Sequence, residues 1–171
     1  MKRRIYLFRH GKSGWDDPGL KDRERALTAR GRAASEKMAA WCAANAVRPD
    51  LVLCSTATRA RETLARLLPH LKAARIEFED GLYLAAPAAL LARLNRLDDG
   101  VGAVMVVGHN PGLQDLALLL ARGGDAQALA RIKAKFPTTA LAELSVEAKR
   151  WRDLAAGAAK LERLILPREL P

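Results

Sequence analysis

Three short apolar runs constrain this chain more than anything else in it. Ile5–Phe8, Leu51–Cys54 and Val104–Val107 contain no charged side chain. A strand with one wet face alternates polar and apolar residues. An unbroken apolar run must instead be buried on both faces, as in a parallel sheet covered by helices on each side. Helical patterns separate the runs. Thr28 is placed to cap a helix reaching about Ala44, with Ala33, Ala34, Met38 and Trp41 at helical spacing. A second helix is predicted from Arg59 to Leu68, stopped by Pro69. Pro87 opens a third, ended near Leu97 by Asp98-Asp99-Gly100. Asn110 and Pro111 suit the cap and first position of a fourth, to Leu120, and a fifth covers Ala126 to Ala134. Ile76–Phe78 reads as a short strand and Ala140–Val146 as an antiparallel edge strand. The expected fold is α/β, a three-layer α/β/α arrangement with a mostly parallel central sheet and one antiparallel edge strand.

The ends of the apolar runs carry the chemistry. The first ends on Arg9-His10-Gly11, where glycine permits a sharp turn. In open α/β sheets, ligands bind outside the carboxyl ends of the strands. A neutral imidazole is a competent nucleophile toward phosphorus, and a neighbouring guanidinium grips two phosphoryl oxygens at once. The second run leads into Ser55-Thr56-Ala57-Thr58-Arg59, with Ser55 or Thr58 as helix cap. The third leads into Gly108-His109-Asn110-Pro111-Gly112, which opens a helix N-terminus, a natural anion site, beside His109. Three strand ends thus bring Arg9, His10, Arg59 and His109 to one rim.

With these pieces the chain resembles the histidine phosphatase superfamily, of phosphoglycerate-mutase-like fold, and within it the small SixA-type phosphohistidine phosphatases. The matching segments are Arg9-His10-Gly11-Lys12-Ser13, Arg25-Ala26-Leu27-Thr28-x-x-Gly31, Ser55-x-x-x-Arg59-Ala60-x-x-Thr63, Gly108-His109-Asn110-Pro111-Gly112 and Phe136-Pro137-Thr138-Thr139-Ala140. They occur in order from about Arg4 to the C-terminus. The resemblance implies His10 as a nucleophile that becomes phosphorylated, Arg9 and Arg59 as phosphoryl clamps, and His109 as a hydrogen-bond donor to a phosphoryl oxygen. It implies Arg25 as a further phosphate ligand, although Ala26 stands where the family usually has proline. Ser13 and Asn110 are candidate phosphate contacts, with turn and cap roles as the competing reading. The implied substrate is phosphohistidine in a protein partner, in signal transduction. A small phosphate ester, or phosphate binding without turnover, are the alternatives.

Composition narrows the rest. The 171 residues fit a single domain spanning 1–171. No apolar run has the length of a membrane span, so a cytoplasmic protein is expected, acting as a monomer without membrane contact. Lys and Arg number 29 against 19 acidic residues, a formal charge of +10. With 5% aromatics and basic residues spread along the chain, nucleic acid is not the expected partner. The charge instead draws anionic substrates. Cys54 precedes Arg59 by four intervening residues and Arg61 by six. Neither is the five-residue spacing of tyrosine-phosphatase-type nucleophiles, so Cys42 and Cys54 read as reduced packing residues. His109 has no His or Cys at ligand spacing, so no metal or other cofactor is expected. Glu79 and Asp80 lie where phosphomutase relatives carry a general acid, but their local spacing does not distinguish them from surface acids.

Overall fold

A computed structural model describes residues 2–171, and the three apolar runs form its centre. β1 (Arg3–Arg9), β2 (Leu51–Ser55) and β4 (Ala103–Gly108) lie parallel in the order β2–β4–β1, with β3 (Arg75–Glu79) parallel outside β2. Alternate residues of a strand face opposite layers. Ile5, Leu7, Leu51, Leu53, Val104 and Val106 therefore enter one core, and Tyr6, Phe8, Val52, Cys54, Met105 and Val107 the other. α3 (Pro87–Asn95), α4 (Gly112–Leu120) and α5 (Ala126–Ala134) cover the first face; α1 (Ala29–Ala44) and α2 (Thr58–Leu67) cover the second. Each fully buried Leu, Ile, Val or Phe contributes about 1.5–3 kcal/mol, so the repeated pattern rather than any single contact sets the layers.

The expected edge strand is displaced. β6 (Leu141–Val146) runs antiparallel but lies inside the sheet, between β1 and β7 (Ala159–Ile165), and β5 (Ala121–Gly124) forms that edge. The full order is β3-β2-β4-β1-β6-β7-β5, six strands in one direction and β6 against them. All of β6 is buried, including Glu143, whose carboxylate sits between Arg4 and Arg163, 2.6 Å from the latter. The sequence signal for β7 is broken by a register shift. Leu161 stands opposite Leu144 and Arg163 opposite Glu143, so Glu162 interrupts the two-residue period. β5 is Ala-Arg-Gly-Gly and has no apolar alternation at all. Its Gly124 has φ +115°, and a Cβ there would lie 2.2 Å from the Leu161 carbonyl oxygen.

Helix starts follow the local chemistry. Thr28 caps α1 by accepting the Gly31 amide at 3.0 Å. A Cβ on Gly31 would stand 2.1 Å from the Lys12 carbonyl oxygen, so glycine lets the first turn of α1 press against the loop that follows His10. α2 begins at Thr58 without a side-chain cap, and Pro69 lies in the short 3-10 turn that ends it. α4 starts at Gly112 with Pro111 as its cap residue, one position later than expected; Asn110 Oδ1 still accepts the Gln114 amide at 3.3 Å. No helix among the described residues is long and apolar enough to cross a membrane.

Candidate active site

The C-terminal ends of three adjacent parallel strands meet at a cavity of about 430 Å³. Arg9 ends β1 and His10 follows it. Ser55 ends β2, with Arg59 in the first turn of α2, and His109 follows β4. All seven residues singled out from the sequence line this cavity: Arg9, His10, Ser13, Arg25, Arg59, His109 and Asn110.

His10 is 7% exposed and its ring is fixed at both nitrogens. Nδ1 lies 2.7 Å from the Gly11 carbonyl oxygen, which only accepts, so Nδ1 carries the hydrogen. Nε2 is then a bare lone pair, and it faces Arg59 Nε at 3.2 Å. Burial pushes the His10 pKa down to about 3, with His109, Arg59 and Arg9 adding to the shift and the Gly11 bond opposing it. The imidazole is neutral at any ordinary pH. Thr63 holds this loop on α2, accepting the Gly11 amide at 2.9 Å and donating to the Arg59 carbonyl oxygen at 2.7 Å.

The guanidinium of Arg59, 2% exposed, is anchored on one side and presented on the other. NH1 donates to the Asp22 carbonyl oxygen at 2.7 Å and NH2 to the Asp22 carboxylate at 3.0 Å. Its Nε–NH2 edge faces His10 and His109. Glu62 pairs with neither Arg59 nor Arg61; it accepts the Leu27 amide. Arg61 lies over the Phe78 ring and donates to the Thr56 carbonyl oxygen. Arg9 donates from NH1 to the Phe136 carbonyl oxygen, but its Nε is buried without a partner among the described residues. Burial and nearby Arg59 lower the Arg9 pKa. A buried donor left open beside a second guanidinium fits an anion.

His109 packs 5.0 Å from the His10 ring and edge-on to Tyr83 at 5.3 Å. Its Nε2 is 2.7 Å from Ser55 Oγ, so the Nδ1 edge faces the cavity. Ser55 Oγ already accepts the Ala57 amide. A guanidinium only donates, so Arg59 NH2, 3.5 Å away, meets a lone pair on Nδ1, and the ring hydrogen sits on Nε2, donated to the same Ser55 Oγ. Burial lowers the His109 pKa to about 4, with Arg59 next and Asp22 opposing.

Arg25 Cζ lies 3.5 Å from the centroid of the Trp15 ring, and its guanidinium bonds Asp22 at 2.9 and 3.0 Å and Ser13 Oγ at 2.8 Å. These contacts order the loop without a proline at position 26. Asn110 reaches the cavity, but its amide hydrogens go to Gln114 and the Phe136 carbonyl oxygen. Glu79 is gripped by Arg93, and Asp80 by Arg23 and Thr56; neither lines the cavity. Asp22 and Tyr83 are functional candidates that sequence reasoning passed over. Among the described residues, Asp22 is the one carboxylate lining the cavity. The Tyr83 hydroxyl, Arg25 and Arg59 hold it well below the usual carboxylate range, against the opposing effect of burial. Both cysteines are buried, and burial pushes their thiols up to about 12, which makes them poor nucleophiles. No group of three or more His, Cys, Asp or Glu among the described residues is arranged to hold a metal ion.

The two lowered histidine pKa values set a stability trend. The unfolded chain takes up protons at both histidines below about 6.5; the folded chain resists until about 4 and about 3. The unfolded state binds more protons in that window, so stability falls on acidification, by up to about 1.4 kcal/mol per pH unit per histidine. Urea midpoints should drop from pH 7 to pH 5, with a shallower drop in His109→Asn. A midpoint that holds or rises contradicts the buried, neutral state.

The comparisons decide the family. The model of the histidine phosphatase superfamily (branch 1) matches residues 5–83. A protein from Agrobacterium tumefaciens assigned as the phosphohistidine phosphatase SixA is 30% identical, with a TM-score of 0.82 over 96% of this chain and 98% of that one. This chain belongs to the histidine phosphatase superfamily. It is a SixA-type phosphatase that works through a phosphorylated histidine. A similarly assigned protein from Nakamurella multipartitia is 28% identical, with a TM-score of 0.82 over 98% of this chain and 97% of that one. The uncharacterized protein Rv1276c of Mycobacterium tuberculosis is 41% identical over 163 residues, 94% of this chain and 100% of its own.

Proposed function

We propose that this phosphatase removes the phosphoryl group from phosphohistidine in a protein partner, with His10 as nucleophile. The phosphoryl oxygens lie against the open Nε of Arg9, the Nε–NH2 edge of Arg59 and the Nδ1 edge of His109. Arg25 and Ser13 close the outer side. His10 Nε2 attacks phosphorus, the P–N bond to the substrate imidazole breaks, and its electron pair returns to that ring nitrogen. The departing imidazole keeps the proton already on its other nitrogen. Water then attacks phosphorus, His10 leaves as a neutral imidazole, and inorganic phosphate departs. Much of the protein's work in phosphoryl transfer is positioning and charge stabilisation, which three arginines supply.

The observation that carries the choice of substrate is Asp22. Among the described residues it is the only carboxylate in the cavity; it is held ionised, and the hydroxyl of Tyr83 is spent on it. Glu79 and Asp80 are committed to arginines outside. An alkoxide leaving group needs a positioned proton donor; a protonated phosphoimidazole does not. The structural likeness to proteins assigned as phosphohistidine phosphatases supports the same reading.

Purified protein offered a phosphohistidine peptide, p-nitrophenyl phosphate and a sugar phosphate should rank them in that order by kcat/KM. Glu79→Gln and Asp80→Asn should leave the phosphohistidine rate within about twofold, as surface pairs usually do. A sugar phosphate as best substrate, or loss of activity in either variant, assigns a real acid and a small-molecule substrate instead. Because arginines provide the positive charge, excess EDTA should leave kcat unchanged; a strict Mg²⁺ or Zn²⁺ requirement contradicts this.

A further inference from the structure

Beside the catalytic cavity lies a groove of about 440 Å³, joined to it through Lys12 and Thr138, which line both. Small residues of α1, Gly31, Ala33 and Ala34, leave it open, and five cations line it: Lys12, Arg30, Lys37, Lys135 and Arg168. All five are exposed, and among the described residues the lining contains no Asp or Glu. Among the described residues none of the five forms an ion pair. Glu169, next to Arg168, is already paired with Arg131. Arg93, Arg150 and Arg163 elsewhere each have their own carboxylate. Half of the formal charge excess of +10 is thus gathered, unneutralised, beside the nucleophile.

Five like charges around one depression repel one another, and an anionic partner relieves that repulsion. We infer that the groove docks an acidic stretch of the phosphohistidine-bearing protein while its phosphoryl group sits against His10. The inference rests on the substrate being a phosphoprotein and adds the chemistry of its flanking sequence. Three of the five cations are lysines. Lysine offers a compact point charge on a flexible stem, which suits several separate carboxylates better than one bidentate phosphate. Among the described residues no aromatic side chain lines the groove to stack a base, so it is poorly made for nucleic acid.

Two peptides carrying the same phosphohistidine test this, one flanked on both sides by glutamates and the other by glutamines. Wild type should show a KM lower by on the order of tenfold for the glutamate peptide, with similar kcat, and the advantage should fade as salt rises. The Lys37→Glu/Arg168→Glu double variant should erase or invert that advantage while turning over p-nitrophenyl phosphate at the wild-type rate. That unchanged rate also reports a folded protein. Equal KM values for the two peptides in wild type, or an advantage that survives the double variant, overturns the docking groove. So does a mixed-sequence oligonucleotide that competes more strongly than the unphosphorylated glutamate peptide, since it assigns the groove to nucleic acid. Failure of wild type on both peptides, with p-nitrophenyl phosphate still hydrolysed, overturns the phosphohistidine reading and the groove with it.

Discussion

Replacing His10 with alanine is expected to remove turnover to below detection for every phosphate substrate. Among the described residues, the other candidate groups are engaged elsewhere or protonated. Asp22 is bound to Arg25, Arg59 and Tyr83, and both cysteine thiols titrate near 12. His109 donates Nε2–H to Ser55 and turns its Nδ1 lone pair to Arg59 NH2. The Arg9–Arg59 clamp does not depend on His10, so His10→Ala should still bind vanadate, though weakly. Loss of activity with retained vanadate binding separates a missing nucleophile from a collapsed site. Substantial turnover in His10→Ala would sink the assignment.

The second large effect belongs to Arg59. Two unit charges about 4 Å apart interact by about 4 kcal/mol at an effective dielectric near 20, which is about three powers of ten in rate. Loss of an arginine that stabilises a transferring phosphoryl group has effects of that size or larger. Arg59→Ala should therefore lower kcat/KM by about 10³-fold or more. Arg59→Lys keeps the charge but loses the fork that spans His10, His109 and Asp22, and should recover only part of the rate. Arg61→Ala, two residues along on the outside of α2, should change kcat/KM less than about twofold. The ranking depends on which face of α2 meets the cavity. A larger effect at Arg61 would mean that Arg59 is not the clamp.

The sequence exposed the site more fully than the sheet. An unbroken apolar run is nearly self-sufficient evidence for a strand covered on both faces, and the residue after such a run falls where ligands bind. Arg9, His10 and His109 were legible for that reason, and Arg59 because its helix starts beside a strand end. The other half of the sheet gave no comparable signal. β7 loses its two-residue period at Glu162, and β5 is held by the backbone conformation of glycines. With neither neighbour visible, β6 could only be read as an edge.

Within the site, the residues that stayed hidden are those whose partners are distant in sequence. Asp22 reads as one more charge in a polar loop until Tyr83, 61 residues on, meets it. Ser55 reads as a helix cap until His109 arrives from β4. The cationic groove is hidden by the same cause: Lys12, Lys37, Lys135 and Arg168 are scattered along the chain and adjacent only in the fold.

The central claim is that the phosphoryl group passes through His10, and trapping it there is the most direct measurement. Wild-type protein mixed rapidly with p-nitrophenyl phosphate, quenched in alkali and mapped by mass spectrometry should carry one phosphoryl group on the His10 peptide. The adduct should be stable in alkali, lost in acid and absent from His10→Ala. A phosphoryl group on Cys54, on a hydroxyl side chain or on His109 would contradict the account, as would an acid-stable adduct.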